Sequence, residues 1–229
     1  MTDDEIAAAK RRAGRSATAA VEDGMTVGLG TGSTAAHAIR RLGERVDAGL
    51  DVDGIPTSFG ARELAREAGI PLTSIDAADP DVAIDGADQV ADGQLIKGGG
   101  AAHAREKVVD TAAERLLVVV DPRKETGVLD EPVPVEVLPA ARGPAARAVE
   151  QRGGDATLRA ARHKDGPVVT DNGNLVLDCA FGPIDDPGDL AGSLSAIPGV
   201  VAHGLFVDCA DEIHVGSADG VRVMSYPRT

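Results

Sequence analysis

The chain of 229 residues has no tryptophan, one tyrosine and three phenylalanines, so aromatics make up 2% of it. Its core must therefore be Val, Ile, Leu and Ala, which a hydrophobic content of 43% supplies. No apolar run approaches the ~18 residues of a membrane span. The start, MTDDEIAAAKRR, lacks the basic-then-apolar order of a secretory signal. Only two cysteines occur, Cys179 and Cys209, in apolar strand-like runs without metal-ligand spacing, and they read as buried thiols of a reducing cytoplasm. Lysine is scarce, with Lys10, Lys97, Lys107, Lys124 and Lys164 the whole set. At a formal net charge of −14 the chain lacks the clustered positive charge that nucleic acid or an anionic membrane requires, so neither is expected as a partner. A surface rich in Asp, with Arg outnumbering Lys, reads as adapted to high salt.

What is present concentrates in 81–107, DVAIDGADQVADGQLIKGGGAAHAREK. Val82, Ala83 and Ile84 form the short apolar run of a buried parallel strand. Asp85 and Asp88 follow at its end, the edge at which open α/β sheets bind ligands. Lys97 precedes Gly98, Gly99 and Gly100, and a helix over 101–116 carries Glu106. Singly, each is a common turn, loop or surface signal. Together they place three carboxylates, an amine and a glycine run within a few turns of chain, at a cost that folding alone does not require.

The rest of the chain frames this stretch. A helix capped by Thr2 or Asp3 runs to about 21, and strand 25–29 leads through Gly30, Thr31, Gly32, Ser33 and Thr34 into helix 35–45. Strand, glycine loop and helix aim N–H groups and a helix N-terminus at an anion. No Gly-Lys-Ser/Thr closes the loop, and Ser33 stands where a dinucleotide fingerprint needs its third glycine. Strand 52–56, helix 59–68, a strand beginning at 71–75 and strand 116–120 complete a doubly wound, mostly parallel sheet of Rossmann type. After Pro132, Pro134 and Pro139 the order becomes strand 133–137, helix 144–151, strand 156–161, a hairpin over 168–180 turning at Asn172-Gly173, helix 186–196 and strand 204–207. That is the ferredoxin-like α+β order. A closing hairpin, 213–215 with 221–224, is expected to rejoin the first sheet. The expected domains are thus 1–130 plus 208–229, and a smaller one over 131–207.

The blocks DGAD, KGGG and REK, with GLGTGSTA (28–35), VVVDPRK (118–124), PVEVLP (134–139), VTDNGN (169–174) and AIPGVVAHGLF (196–206), resemble ribose-5-phosphate isomerase of the A type, in the family's order over nearly the whole chain. The resemblance implies an aldose–ketose isomerase interconverting ribose 5-phosphate and ribulose 5-phosphate through an enediolate, in the non-oxidative pentose phosphate pathway. It implies Glu106 as general base, a role that suits a carboxylate whose pKa partial burial raises. Lys97, with N–H groups of Gly98, Gly99 and Gly100, would stabilise the oxyanion. Asp85 and Asp88, with Gly86 and Ala87 between them, would hold hydroxyls and relay protons. Lys124 and the loop Thr31, Gly32, Ser33 and Thr34 would take the phosphate.

No cofactor and no metal are implied, and a cytoplasmic homodimer or homotetramer is expected. His37 is a weaker ligand candidate, while His103, His163, His203 and His214 have no partners at motif spacing and are expected at the surface or in loops. Gln89 replaces a frequent family Glu and can at most hydrogen-bond. His103 replaces an apolar residue. The alternatives are a sugar-phosphate-sensing regulatory domain, against which the absence of a helix-turn-helix or basic face speaks, and a CoA-transferase-like enzyme, which would place its glutamate differently.

Overall fold

The structure, a computed structural model, describes residues 1–226, so 227–229 of the expected first domain lie outside the described residues. In chain order its elements are α1 (Asp3–Ala17), β1 (Thr26–Leu29), α2 (Ala35–Asp47), β2 (Asp53–Pro56), α3 (Phe59–Glu67), β3 (Val82–Asp85), β4 (Gln89–Ala91) and β5 (Gln94–Ile96). Then follow α4 (His103–Ala112), β6 (Arg115–Val120), β7 (Val133–Val137), α5 (Arg142–Glu150), β8 (Asp155–Leu158) and β9 (Leu175–Ala180). The last are α6 (Pro187–Ser195), β10 (Val200–His203), β11 (Leu205–Phe206), β12 (Glu212–Gly216) and β13 (Val221–Ser225). Two compact units divide the chain: Met1–Ala87, Arg105–Glu125 and the chain from Asp208 onward form the first, Asp88–Ala104 and Thr126–Val207 the second. The stretches 88–104 and 126–130, which the sequence reading gives to the first domain, thus group with the second.

In the first unit six strands run in the order β13-β12-β6-β3-β1-β2, parallel throughout except for β13. Alternation sets the two faces. Val27, Leu29, Val82, Ile84, Leu117 and Val119 point to one side, where they share a core with Ala13 and Ala17 of α1, Ile39 and Leu42 of α2, and Ala61 and Ala65 of α3. Gly28 and Ala83 face the other side, where Val109 of α4 leaves no room for a Cβ at Gly28. Helices on both faces make the sheet doubly wound. Each buried Val, Leu or Ile here contributes roughly 1.5–3 kcal/mol. A capping box between Thr2 and Glu5 starts α1, and Thr18–Ala20 tightens into a 3₁₀ turn where the expected helix had continued. The terminal hairpin β12–β13 joins this sheet beside β6, as expected. The strand expected to begin at 71–75 reduces to one bridge, Leu72 to Gly54.

In the second unit β7, α5, β8, β9, α6 and β10 build a four-stranded antiparallel sheet ordered β10-β7-β9-β8, the ferredoxin-like arrangement. Val133, Val135, Val137, Leu177 and Cys179 face Ala145, Val149, Leu194 and Ile197. Both cysteines are buried, and burial pushes the Cys179 thiol up to about 12, which makes it inert at neutral pH. On the other face of β7, buried Glu136 accepts from Thr170, Asn172 and Asn174, so the VTDNGN block is a loop folded onto its own sheet.

Two expectations need correction. The fourth strand is Val200–His203, not 204–207: Gly204 donates to the Pro134 carbonyl (2.7 Å) and accepts the Lys97 N–H (2.8 Å), ending one strand and starting the next. Leu205 and Phe206 instead join β4 and β5 in a separate three-stranded sheet. The Asn172-Gly173 turn closes only a short bridge, Val169 to Leu175, while β8 and β9 pair directly across a longer loop.

Candidate active site

In the first unit β1 and β3 lie side by side, and the chain leaves them in opposite directions, β1 towards β2 and β3 towards β6. Such a switch point opens a crevice outside the carboxyl ends of the strands. Asp85, the last residue of β3, is buried there, and its Oδ1 accepts the N–H groups of Thr31 (2.9 Å) and Gly86 (2.7 Å). Position 30 has to be glycine, because a Cβ would lie 2.1 Å from that same oxygen.

The Thr31 hydroxyl donates to Ser58 Oγ at 2.7 Å and lies 2.9 Å from Thr57 Oγ1. Ser58 in turn caps α3 through the Ala61 N–H (3.0 Å). The Lys10 ammonium, reaching from α1, donates to Ser33 Oγ at 2.9 Å. Thr34, at the start of α2, makes no side-chain cap, and the Ala36 and His37 N–H groups donate to the carbonyls of Gly32 (2.9 Å) and Thr34 (3.0 Å). Hydroxyls, an ammonium and a helix N-terminus thus surround one loop, beside a cavity of about 160 Å³ lined by Gly30, Thr31, Gly32, Ala36, Gly60 and Ala61. This is anion-binding chemistry.

The sequence reading gives Lys10, Thr57 and Ser58 no place in the site. Thr57 and Ser58 follow β2 as Thr31 follows β1, on the same sheet edge, and that equivalence was the available signal. Lys10 carried only the scarcity of lysine.

Lys124 lies in the 3₁₀ turn after β6. Burial pushes the neighbouring Asp121 carboxyl up, but hydrogen bonds from Arg123 outweigh it and hold the acid below its usual range. Arg123 is therefore committed to Asp121, whereas the half-buried Lys124 ammonium has no ion-pair partner among the described residues.

Glu106 lies in the first turn of α4, 3% exposed. Beside it the Arg105 guanidinium stacks over Phe59 at 5.3 Å from the ring centroid, linking the starts of α4 and α3. Burial lowers Lys107, next in the chain, to about 8. His37 is half-buried, and burial, then Arg40, Arg11 and Lys10, hold its pKa below the ordinary value.

In the second unit Lys97 is 2% exposed, with Nζ 5.2 Å from the Phe206 ring centroid. A lysine so deeply buried is costly to keep. Gly98 has φ +102°, and a Cβ there would meet the His103 ring at 2.7 Å. His103 is fully buried beneath this turn, not at the surface as expected. His203 and His214 are buried as well: His203 lies 3.0 Å from Ser195, and His214 lies 2.9 Å from Ser16 and 3.1 Å from Glu212. The pairing of His214 with Ser16, far away in the chain, leaves no trace in local spacing. His163 is exposed, as expected.

Asp88 Oδ2 accepts the Gly99 N–H at 2.6 Å, so of the three glycine N–H groups that one is already committed. Gln89 accepts the N–H groups of Asp130 (2.8 Å) and Glu131 (3.0 Å) and donates to the Asp130 carboxylate. A glutamate at 89 would set two carboxylates against each other there. The sequence reading also missed Arg159, which reaches the carbonyls of Gly98 and Gly99.

Comparison with known proteins places these features in one family. Residues 53–220 match the family model for ribose 5-phosphate isomerase A (phosphoriboisomerase A). The ribose-5-phosphate isomerase A of Haloarcula marismortui is 68% identical over 216 residues, covering 94% of this chain and 95% of that protein. A solved ribose 5-phosphate isomerase A from Methanocaldococcus jannaschii superimposes with a TM-score of 0.93 at 44% identity, covering 98% of this chain and 100% of the other. A D-ribose-5-phosphate isomerase in complex with phospho-erythronic acid gives 0.94 at 43% identity, with 98% and 100% coverage. The chain belongs to the ribose 5-phosphate isomerase A family.

Proposed function

We propose that this protein interconverts D-ribose 5-phosphate and D-ribulose 5-phosphate. The observation that carries the proposal is near-full-length identity of 68% to a ribose-5-phosphate isomerase A in a chain that has Asp85, Asp88, Lys97 and Glu106 in the expected blocks. Glu106 takes the proton from C2 of the open-chain aldose and returns it to C1 through an enediolate. At 3% exposure the carboxyl is shielded from bulk water while it carries that proton. Lys97 and the glycine loop stabilise the oxygen that gains charge. Asp85 and Asp88, with Gly86 and Ala87 between them, hold hydroxyls and relay the protons of ring opening.

The phosphate is taken by Thr31, Gly32, Ser33, Thr34 and Lys124, and by Lys10 through its place at Ser33. Binding energy from this remote group orients the reacting end. The reading includes a cytoplasmic homodimer or homotetramer working in the pentose phosphate pathway without a cofactor. Incubating the purified protein with ribose 5-phosphate and following ribulose 5-phosphate tests the assignment. Ketose formation at catalytic enzyme concentrations is expected, and its absence would remove the reading.

A further inference from the structure

Arg159 follows β8 and is remote in sequence from the glycine loop, yet its Nη1 donates to the carbonyls of Gly98 (2.8 Å) and Gly99 (3.2 Å). The rest of its fork is taken by Asp178 on β9: Nε lies 2.9 Å from Oδ2 and 3.2 Å from Oδ1, and Nη2 also donates to Oδ1. A planar guanidinium anchored along one edge by a carboxylate has little freedom left in where the remaining nitrogen points. The side chain is 16% exposed, so solvent competes weakly for these bonds.

The loop needs such a hold. Three consecutive glycines have no side-chain preference to fix their peptide planes. The carbonyl and N–H of a trans peptide point in opposite directions, and the chain contains no cis peptide among the described residues. The plane joining Gly98 to Gly99 is therefore held at both ends, its carbonyl by Arg159 and its N–H by Asp88 at 2.6 Å. The plane joining Gly99 to Gly100 is the central peptide of a turn closed by the Ala101 N–H on the Gly98 carbonyl (2.9 Å), and Arg159 is the side chain that holds its carbonyl. Its N–H, that of Gly100, must point away from Arg159, and it has no acceptor among the described residues although Gly100 is exposed.

We propose that Arg159, locked by Asp178, is a positioning residue for the isomerisation, which presets the Gly100 N–H as a donor to the substrate oxygen that gains negative charge. The inference rests on the reading of the Lys97–Gly100 segment as the oxyanion-stabilising part of an isomerase. Donors fixed in advance need no reorganisation during the reaction, and the effect belongs in kcat more than in KM.

The test compares wild type with Arg159→Met, Arg159→Lys and Asp178→Asn for kcat, KM, melting temperature and inhibition by two probes. Phospho-erythronic acid carries a carboxylate beside its phosphate, whereas inorganic phosphate reports only the phosphate cradle. Arg159→Met should lower kcat by ~10–100-fold, less than the ~10²–10³ of deleting an oxyanion donor outright. KM and inhibition by phosphate should stay within about twofold of wild type, while phospho-erythronic acid weakens in step with kcat. Arg159→Lys keeps the charge without the fork and should remain impaired. Asp178→Asn should act in the same direction and carries the test should Arg159→Met fail to fold. Unchanged kcat, equal weakening of both probes, or full activity in Arg159→Lys would overturn the inference. A wild type inert towards ribose 5-phosphate would instead remove the isomerase reading itself.

Discussion

Asp85 takes the Thr31 N–H at 2.9 Å and so ties the ends of β3 and β1 together at the switch point of the sheet. The same oxygen holds the Gly86 N–H at 2.7 Å, and Gly30 has no Cβ because that oxygen occupies its place. Asp85 is thus both a proposed substrate ligand and the clasp of the phosphate loop, and two substitutions separate these roles. Asp85→Asn keeps an acceptor for the two N–H groups and should melt near wild type while losing most of kcat. Asp85→Ala leaves them without a partner and should cost about 1–3 kcal/mol in stability as well. Denaturant unfolding of both variants checks this; equal stability would remove Asp85 as a clasp.

The phosphate cradle can be tested by difference. Lys124→Ala and Lys10→Met should each weaken ribose 5-phosphate strongly in KM. Unphosphorylated ribose, a poor substrate at best, should be handled about as badly as before. Steady-state kinetics with both sugars decides, and a proportional loss for the two would place the lysine outside the cradle.

Acid should weaken the fold in two stages. Burial holds His214 below its ordinary value of 6.5, with Glu212 only partly opposing. Above that pH the imidazole is neutral folded and unfolded, and it contributes nothing to the pH dependence. As pH falls below it the unfolded chain binds the proton first, so stability declines. His37, lowered by burial and by Arg40, Arg11 and Lys10, acts in the same sense. Asp121, whose folded pKa is depressed, adds stability above its ordinary 3.8 that is lost as pH drops through the lower folded value. Melting temperature should therefore fall between pH 7 and pH 5, and less so in His214→Asn measured against its own value at pH 7. A parallel decline in that variant would acquit His214.

The elements legible in the sequence were those whose signal is local. Val82 to Ile84, Leu116 to Val120, the cap at Thr2 and the strand–glycine–helix passage at Gly30 announced themselves, and the βαββαβ order emerged from alternation and turns. What stayed hidden depends on partners far away in the chain. β4 and β5 are three residues each and pair with one another through the Asp92-Gly93 turn, and β5 pairs on its other edge with Leu205 and Phe206. Lys10 meets Ser33 only because α1 packs beside α2, and Arg159 meets Gly98 only because a loop after β8 folds back on an earlier segment. His103 was misjudged because the space beneath a glycine turn cannot be read from composition.

Salt should act on stability and affinity in opposite senses. At −14 net charge, surface carboxylates repel one another at low ionic strength. Screening shortens from ~30 Å at 0.01 M to ~3 Å at 1 M, which relieves that repulsion but lets bulk anions compete at the phosphate cradle. Melting temperature and KM should both rise across a KCl series. Relatives from halophilic archaea accord with the first half of that expectation. A melting temperature that stays flat or falls with salt would contradict the high-salt adaptation and leave the chemistry untouched.

The role of Glu106 is open to the most direct measurement, the rate at which deuterium from D₂O enters the pentose phosphate pool with wild type and with Glu106→Gln. The substitution keeps the shape of the side chain and removes its basicity. Wild type should build deuterium into C1 of ribulose 5-phosphate as it turns over. Glu106→Gln should lose conversion and incorporation together, by roughly 10²–10⁴, with KM little changed. A Glu106→Gln variant that converts the substrate and takes up deuterium as fast as wild type would contradict an enediolate formed by this carboxylate.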